Sequence, residues 1–98
     1  MAFAIITTDK ANSGELRASQ RPPHLEYLKA NQHLLLAAGA MLQDDGSTGE
    51  GGILLVDTDD RAVAERLIAD DPYTKAGLFE KVLVTRWRKA FFDGKALV

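Results

Sequence analysis

Apolar and polar positions along the chain mark out four extended segments and two helical ones. Residues 2–8, Ala-Phe-Ala-Ile-Ile-Thr-Thr, are rich in strand formers and end at the polar Asp9-Lys10. A polar stretch containing Gly14 runs on through Gln20. It is long for a connection in a compact domain, and so predicts a binding loop. Pro22 and Pro23 mark a helix start, since proline is tolerated in a first helical turn. From His24 to about His33 the pattern is helical, with Leu25 and Leu28 facing inward and Lys29 and Gln32 polar.

Leu34 to Gln43 reads as the second strand, in which Gly39 suggests a bulge or a close approach by another group. Asp44 to Gly51 is a loop by composition, and Gly52 to Val56 a third strand. Thr58 or Asp59 is placed to cap a second helix whose first turn is acidic and whose stripe is Ala62, Val63 and Leu67. Pro72 discourages helical geometry at Asp71. A short turn at Tyr73 to Gly77 leads to a fourth strand, Leu78 to Trp87, and Asp93-Gly94 predicts a turn in the arm that follows.

The resulting β-α-β-β-α-β order is the ferredoxin-like α+β pattern, a four-stranded antiparallel sheet with two helices on one face. Ile53-Leu54-Leu55-Val56 and Leu34-Leu35-Leu36-Ala37-Ala38 are apolar without clean alternation, which predicts a cover on the other face as well. A second copy of the chain packed sheet to sheet, a homodimer, is the simplest cover. The chain reads as one domain over residues 1–98, with a core of about 1–87 and a C-terminal arm of about 88–98.

Composition narrows the function classes. With 98 residues, 46% of them hydrophobic, the chain is expected to fold as a globular domain without staples. A formal charge of −2 carries no general footprint for nucleic acid, and no cysteine is present as nucleophile, thiolate ligand or disulfide partner. The basic-aromatic run Arg86-Trp87-Arg88-Lys89 with Phe91 and Phe92 reads as a packing tail, so no nucleic-acid partner is expected. The longest apolar stretch, Leu34 to Leu42, is far short of a membrane span, and the first residues lack the flank and cleavage pattern of a signal peptide. A cytoplasmic protein without membrane association is the expectation.

The chemistry-bearing residues gather at the predicted helix edges. A histidine at a helix N-terminus, as His24 is expected to be, tends to remain neutral and able to accept a proton. Asp71 follows Val63 and Leu67 at helical spacing and so projects from a buried stripe, where a carboxylate needs a partner or a polar cavity. In a ferredoxin-like fold the two helices lie side by side, so the two groups are able to meet. Arg17 and Arg21 flank His24 as candidate clamps for an anion, and Tyr73 offers a hydroxyl or a packing ring to the same cleft. The glycine-rich run at Gly46–Gly52 lacks the Gly-Lys-Ser/Thr ending of a phosphate loop and reads as a flexible hairpin loop. Asp57-Thr58-Asp59-Asp60 lacks calcium-loop spacing. His24 and His33 have no metal-ligand spacing, so no metal site and no cofactor are expected.

Two separated motifs carry a family resemblance. Arg21-Pro22-Pro23-His24-Leu25-Glu26-Tyr27-Leu28, Gly39 in the next strand, and Asp70-Asp71-Pro72-Tyr73-Thr74-Lys75-Ala76-Gly77-Leu78-Phe79 together resemble the YciI-like (YCII-related) proteins. The likeness extends from the first strand to about Trp87, with Pro23 departing from the small residue usual before the histidine. It implies a ferredoxin-like domain that dimerises into an α+β barrel, and a proposed active site built on a histidine and an aspartate, here His24 and Asp71. Members of the family are mostly of unknown function; a minority branch looks like dehydrochlorinases acting on hydroxylated rings, which no residue here singles out, and the wider superfamily includes muconolactone isomerase-like enzymes.

The expected function is a small cofactor-free enzyme performing proton transfer, elimination or isomerisation on a small anionic or phenolic substrate. His24 is the acid-base group, Asp71 its orienting partner, and Arg17, Arg21 and Tyr73 the substrate-binding residues. The alternatives are a non-catalytic ligand-binding or regulatory homodimer using the same cleft, and an interaction role for the C-terminal arm.

Overall fold

Strand β1, Ala2–Asp9, is the organising element of the computed structural model, which describes residues 1–98. It pairs antiparallel on one side with β3, Thr48–Val56, and on the other with β4, Phe79–Trp87. Strand β2, Leu35–Leu42, closes the far edge against β3, giving the order β2-β3-β1-β4. The β-α-β-β-α-β order and the antiparallel ferredoxin-like α+β fold are therefore those read from the sequence.

Register assigns the two faces. Phe3 pairs with Val56, and Ile5 with Leu54 and Val84, on the face that receives the helices. Phe3, Ile5, Leu54 and Val56 are buried there against Ala64, Leu67 and Ile68 of α2, Arg61–Ala69. The alternate positions face away: Ile6 lies opposite both Ile53 and Leu83, and Ile53 and Leu83 are 43% and 53% exposed. The open face is thus as apolar as the strand patterns required.

The largest departure is in helix α1, which runs Gly14–Ala30 with Pro22 and Pro23 in its interior. Most of the expected binding loop is therefore helix, and His24 lies in the helix body instead of its first turn. The N-terminal dipole argument does not apply to it. The periodicity went unseen because the inward stripe is polar at its start: Arg17, Arg21, His24 and Leu28 recur at the spacing of one helical face. Two prolines remove two backbone donors from the helix. Tertiary anchors compensate, among them a buried Arg17 and a Tyr27 hydroxyl that donates to the Leu67 carbonyl of α2 at 2.7 Å.

Strand β3 starts earlier than expected because its glycines are sites of close backbone approach. A Cβ on Gly51 would meet the Thr7 carbonyl oxygen at 2.0 Å. The glycine-rich run is therefore largely strand, and not a flexible loop. The β2–β3 register shifts fall between Leu35 and Ala37 and between Ala40 and Leu42, on either side of Gly39 and not at it. Asp60, not Thr58 or Asp59, caps α2, accepting from the Ala62 amide at 2.9 Å, while the Thr58 hydroxyl accepts from the Asp60 amide. Tyr73 falls in a single helical turn, α3, Pro72–Lys75, which Gly77 ends at φ +76°. Beyond Trp87, β5, Phe91–Phe92, and β6, Lys95–Ala96, form a small hairpin around the expected Asp93-Gly94 turn. No helix is long and apolar enough to cross a membrane.

Candidate functional site

Asp71 is fixed by the turn it begins. Its backbone is extended, as the proline that follows requires, and its Oδ1 accepts from the Tyr73 amide at 2.9 Å, capping α3 with Pro72 at its start. The residue is 1% exposed, so the carboxylate needs further partners. His24 of α1 supplies one: Nδ1 lies 2.9 Å from Oδ1 and 3.0 Å from Oδ2. A carboxylate only accepts, so Nδ1–H is the donor, and in the neutral ring the lone pair is then on Nε2. No buried side-chain nitrogen or oxygen lacks a partner, and Nε2 has none within the chain, so that nitrogen is open to solvent.

Tyr73 packs its ring on the imidazole, with centroids 3.9 Å apart and planes inclined by 17°. The ring also meets Phe79 edge-on at 6.0 Å, which buries it between α1 and the start of β4. Burial pushes the Tyr73 phenol above its ordinary pKa, against the opposing pull of Arg17 and Arg21. The hydroxyl is therefore a hydrogen-bond donor at neutral pH.

The two arginines differ. Arg17 is 8% exposed and is held in a two-pronged pair with the equally buried Asp9: Nε to Oδ2 at 2.6 Å and Nη2 to Oδ1 at 3.1 Å. That hydrogen bond, ahead of the opposing desolvation, raises the Arg17 pKa further. Its Cζ lies 4.8 Å from the Tyr73 ring centroid. Arg21, one helical turn on, makes no ion pair and is exposed.

These groups border one cleft of about 230 Å³ between α1, the β2–β3 edge and α3. Arg17, Arg21, His24, Asp71 and Tyr73 all line it, so the structure brings together every candidate residue of the sequence reading. Leu25, Leu28, Leu54 and Phe79 supply apolar wall, and Ala38, Gly39, Ala40 and Gly52 leave the sheet side open by lacking bulk. Drug-sized pockets run from about 300 to 1,000 Å³, so this one matches a single small ring. Asp9 was missed, having read as a polar strand end. Its signal was the two-residue alternation that places it on the helix face with Phe3, Ile5 and Thr7.

Comparison with known proteins agrees with this architecture. A YCII-related domain profile matches residues 1–88. Proteins named YciI from Escherichia coli and Shigella flexneri are each 37% identical over 98 residues, spanning 93% of this chain and all of theirs. An uncharacterized protein of Haemophilus influenzae is 31% identical over the same shares. Among solved structures, 5-chloro-2-hydroxyhydroquinone dehydrochlorinase (TftG) from Burkholderia phenoliruptrix, complexed with 2,5-dihydroxybenzoquinone, superposes with a TM-score of 0.81. It is 29% identical, and the match covers 90% of this chain and 94% of that one. An antibiotic biosynthesis monooxygenase shares the fold at a TM-score of 0.50 and 14% identity, over 90% of this chain and 99% of the other. With the matched sequence running from the start of β1 to the end of β4, and the fold that of the dimeric α+β barrel class, this chain belongs to the YCII-related domain family.

Proposed function

We propose that the cleft performs acid-base chemistry, an elimination or isomerisation, on a single-ring or similarly small organic anion. The observation that carries this reading is the His24–Asp71 pair, which ties up Nδ1 and leaves Nε2 open. In this reading Nε2 takes a proton from an acidic carbon or hydroxyl of the ligand. The electron pair left behind moves onto an oxygen facing Arg21 and the Tyr73 hydroxyl, where a cation and a neutral donor stabilise it. The proton then returns at another atom, giving an isomer, or an anionic leaving group departs, giving an elimination product. Asp71 holds the imidazole in one tautomer and steadies its cation. Arg21, and not Arg17, is the anion clamp, because the fork of Arg17 is already filled by Asp9. The dehydrochlorinase neighbour, bound to a dihydroxylated quinone, supports a small oxygenated ring as the ligand class.

The same proposal includes a homodimer formed through the open sheet face. Its support is the apolar row Ile6, Ile53 and Leu83 on the open sheet face, which a second copy would match with its own.

The test is a thermal-shift screen of small acids, phenols and hydroxyquinones on the wild type and His24→Asn, followed by product analysis. A compound that stabilises both proteins and is converted only by the wild type is expected. Conversion unchanged in His24→Ala would overturn the acid-base assignment, and binding without conversion would make the protein a ligand-binding dimer.

A further inference from the structure

Two buried charges form a pair at the cleft, Arg17 in its lining and Asp9 beyond it, and the proton chemistry proposed above uses neither. Asp9, at the last position of β1, and Arg17, in the first half of α1, are 5% and 8% exposed. Burying an ion pair costs desolvation that an apolar pair would avoid, so it is weak ground for stability alone. What the pair does hold is geometry. Two parallel hydrogen bonds, at 2.6 and 3.1 Å, fix the plane and position of the guanidinium. That guanidinium lies 4.8 Å from the centroid of the Tyr73 ring, and the Tyr73 ring is stacked at 3.9 Å on the imidazole of His24.

We infer that Asp9 and Arg17 are positioning residues that act through Tyr73 on His24. The Asp71 bond alone leaves the imidazole free to swing about the Nδ1···carboxylate axis, since Nδ1 is nearly equidistant from the two oxygens. A stacked ring removes that freedom by setting the imidazole plane, and hence the direction in which Nε2 presents its lone pair. The Tyr73 ring in turn is held from Arg17 by a cation–π contact, which a mobile cation would not sustain. Asp9 makes the cation immobile. The contacts thus run unbroken from β1 through α1 and α3 back to α1, Asp9 to Arg17 to Tyr73 to His24.

This inference rests on His24 being the acid-base group, but its test does not use turnover. Proton and nitrogen-15 spectra of the His24 ring report ring-current displacement by Tyr73 and the tautomer held by Asp71. Asp9→Asn and Arg17→Lys, each checked for a dispersed amide spectrum, are expected to lose the ring-current displacement of the His24 carbon-bound protons. Both should also broaden or average the two ring-nitrogen signals. Tyr73→Leu, which leaves the Asp9–Arg17 pair untouched, should give the same loss. If a single variant does not fold, the double variant Asp9→Asn/Arg17→Met removes both charges together and gives the same readout. Folded Asp9 or Arg17 variants with wild-type His24 signals would overturn the inference, as would His24 ring signals in Tyr73→Leu that keep the wild-type linewidth. A lost ring-current shift with unchanged turnover in His24→Ala would instead uphold the positioning and overturn the acid-base reading.

Discussion

The imidazole of His24 and the carboxylate of Asp71 meet at 2.9 Å across 47 residues of chain, joining the body of α1 to the first residue before α3. One carboxylate both caps a turn and accepts from the ring, so the position of the ring is tied to a backbone feature that Pro72 imposes. Asp71→Asn tests this double role. An amide keeps one acceptor oxygen for the Tyr73 amide, but its NH2 in place of Oδ2 would face the Nδ1–H donor to donor, and the negative charge beside the ring is lost. The variant is expected to lose roughly 1–3 kcal/mol of stability, read as a lower urea midpoint. Turnover of any converted ring compound should fall by about 10²–10⁴. Wild-type values of both quantities would exclude the pairing.

The Asp9–Arg17 pair makes a contrasting stability prediction. Arg17→Met leaves Asp9 as an uncompensated buried carboxylate, and should cost about 3–5 kcal/mol. Adding Asp9→Leu to the same protein removes the stranded charge and should recover most of that loss. Equilibrium unfolding of wild type, single and double variants forms the cycle. A double variant as unstable as the single would show that the pair contributes directly to the fold.

The size of the cleft is set from the sheet side. Ala40 pairs with Gly52 on the helix face of the β2–β3 edge, and neither carries bulk into the cavity. Ala40→Leu adds three carbons to a space of about 230 Å³ that fits little more than one ring. The expected result is loss of the ligand-induced thermal shift with little change in the stability of the free protein. A retained shift would place the ligand elsewhere.

How much of this was legible follows from which residues carry the pattern. Phe3, Ile5, Leu54 and Val56 advertise their strands through short apolar runs bounded by polar or turn residues, so the strands and their place in the β-α-β-β-α-β order could be read directly. The first half of α1 could not. Its inward stripe begins with Arg17 and Arg21, which hydrophobic periodicity counts as solvent-facing, and its two prolines imitate a helix start. Gly49 and Gly51 resemble a loop for a related reason. Glycine there meets a steric demand, a Cβ lying 2.4 Å from the Met41 oxygen in one case and 2.0 Å from the Thr7 oxygen in the other. His24, Asp71, Arg21 and Tyr73 stood out as polar groups beside helix-breaking prolines, and the fold gathers them. Asp9 stayed hidden because its partner is eight residues away in a segment read as a loop.

Alkaline titration offers a check on the packing around both tyrosines. Tyr27 and Tyr73 are the only two in the chain, and burial is the first cause raising each above the ordinary value of 10.0. Carboxylates of Asp70 and Asp71 add to the effect at Tyr27. A phenol with a raised folded-state value binds its proton more tightly in the native state than in the unfolded one. The stability this represents is complete below about pH 10 and is lost as pH rises through the raised values. The native protein should therefore show less phenolate absorbance than free tyrosine at the same pH, and its urea midpoint should fall as pH climbs through the raised values. Normal titration of either tyrosine would mean that its ring is not buried in solution.

The open sheet face makes the last prediction. Leu83 on β4 and Ile53 on β3 both lie opposite Ile6 on the face away from the helices, 53% and 43% exposed in the single chain. A sheet-to-sheet homodimer would bury this row against its symmetry copy, so each substitution acts twice in one interface. Leu83→Lys brings a cation into that contact from both subunits. Sedimentation equilibrium is expected to return twice the chain mass for the wild type and the single-chain mass for Leu83→Lys at matched concentration. Lys29→Glu, on the exposed side of α1 and away from the open sheet face, should leave the dimer intact. A wild type that sediments as a single chain would remove the homodimer, and an undisturbed Leu83→Lys dimer would move the interface off this face.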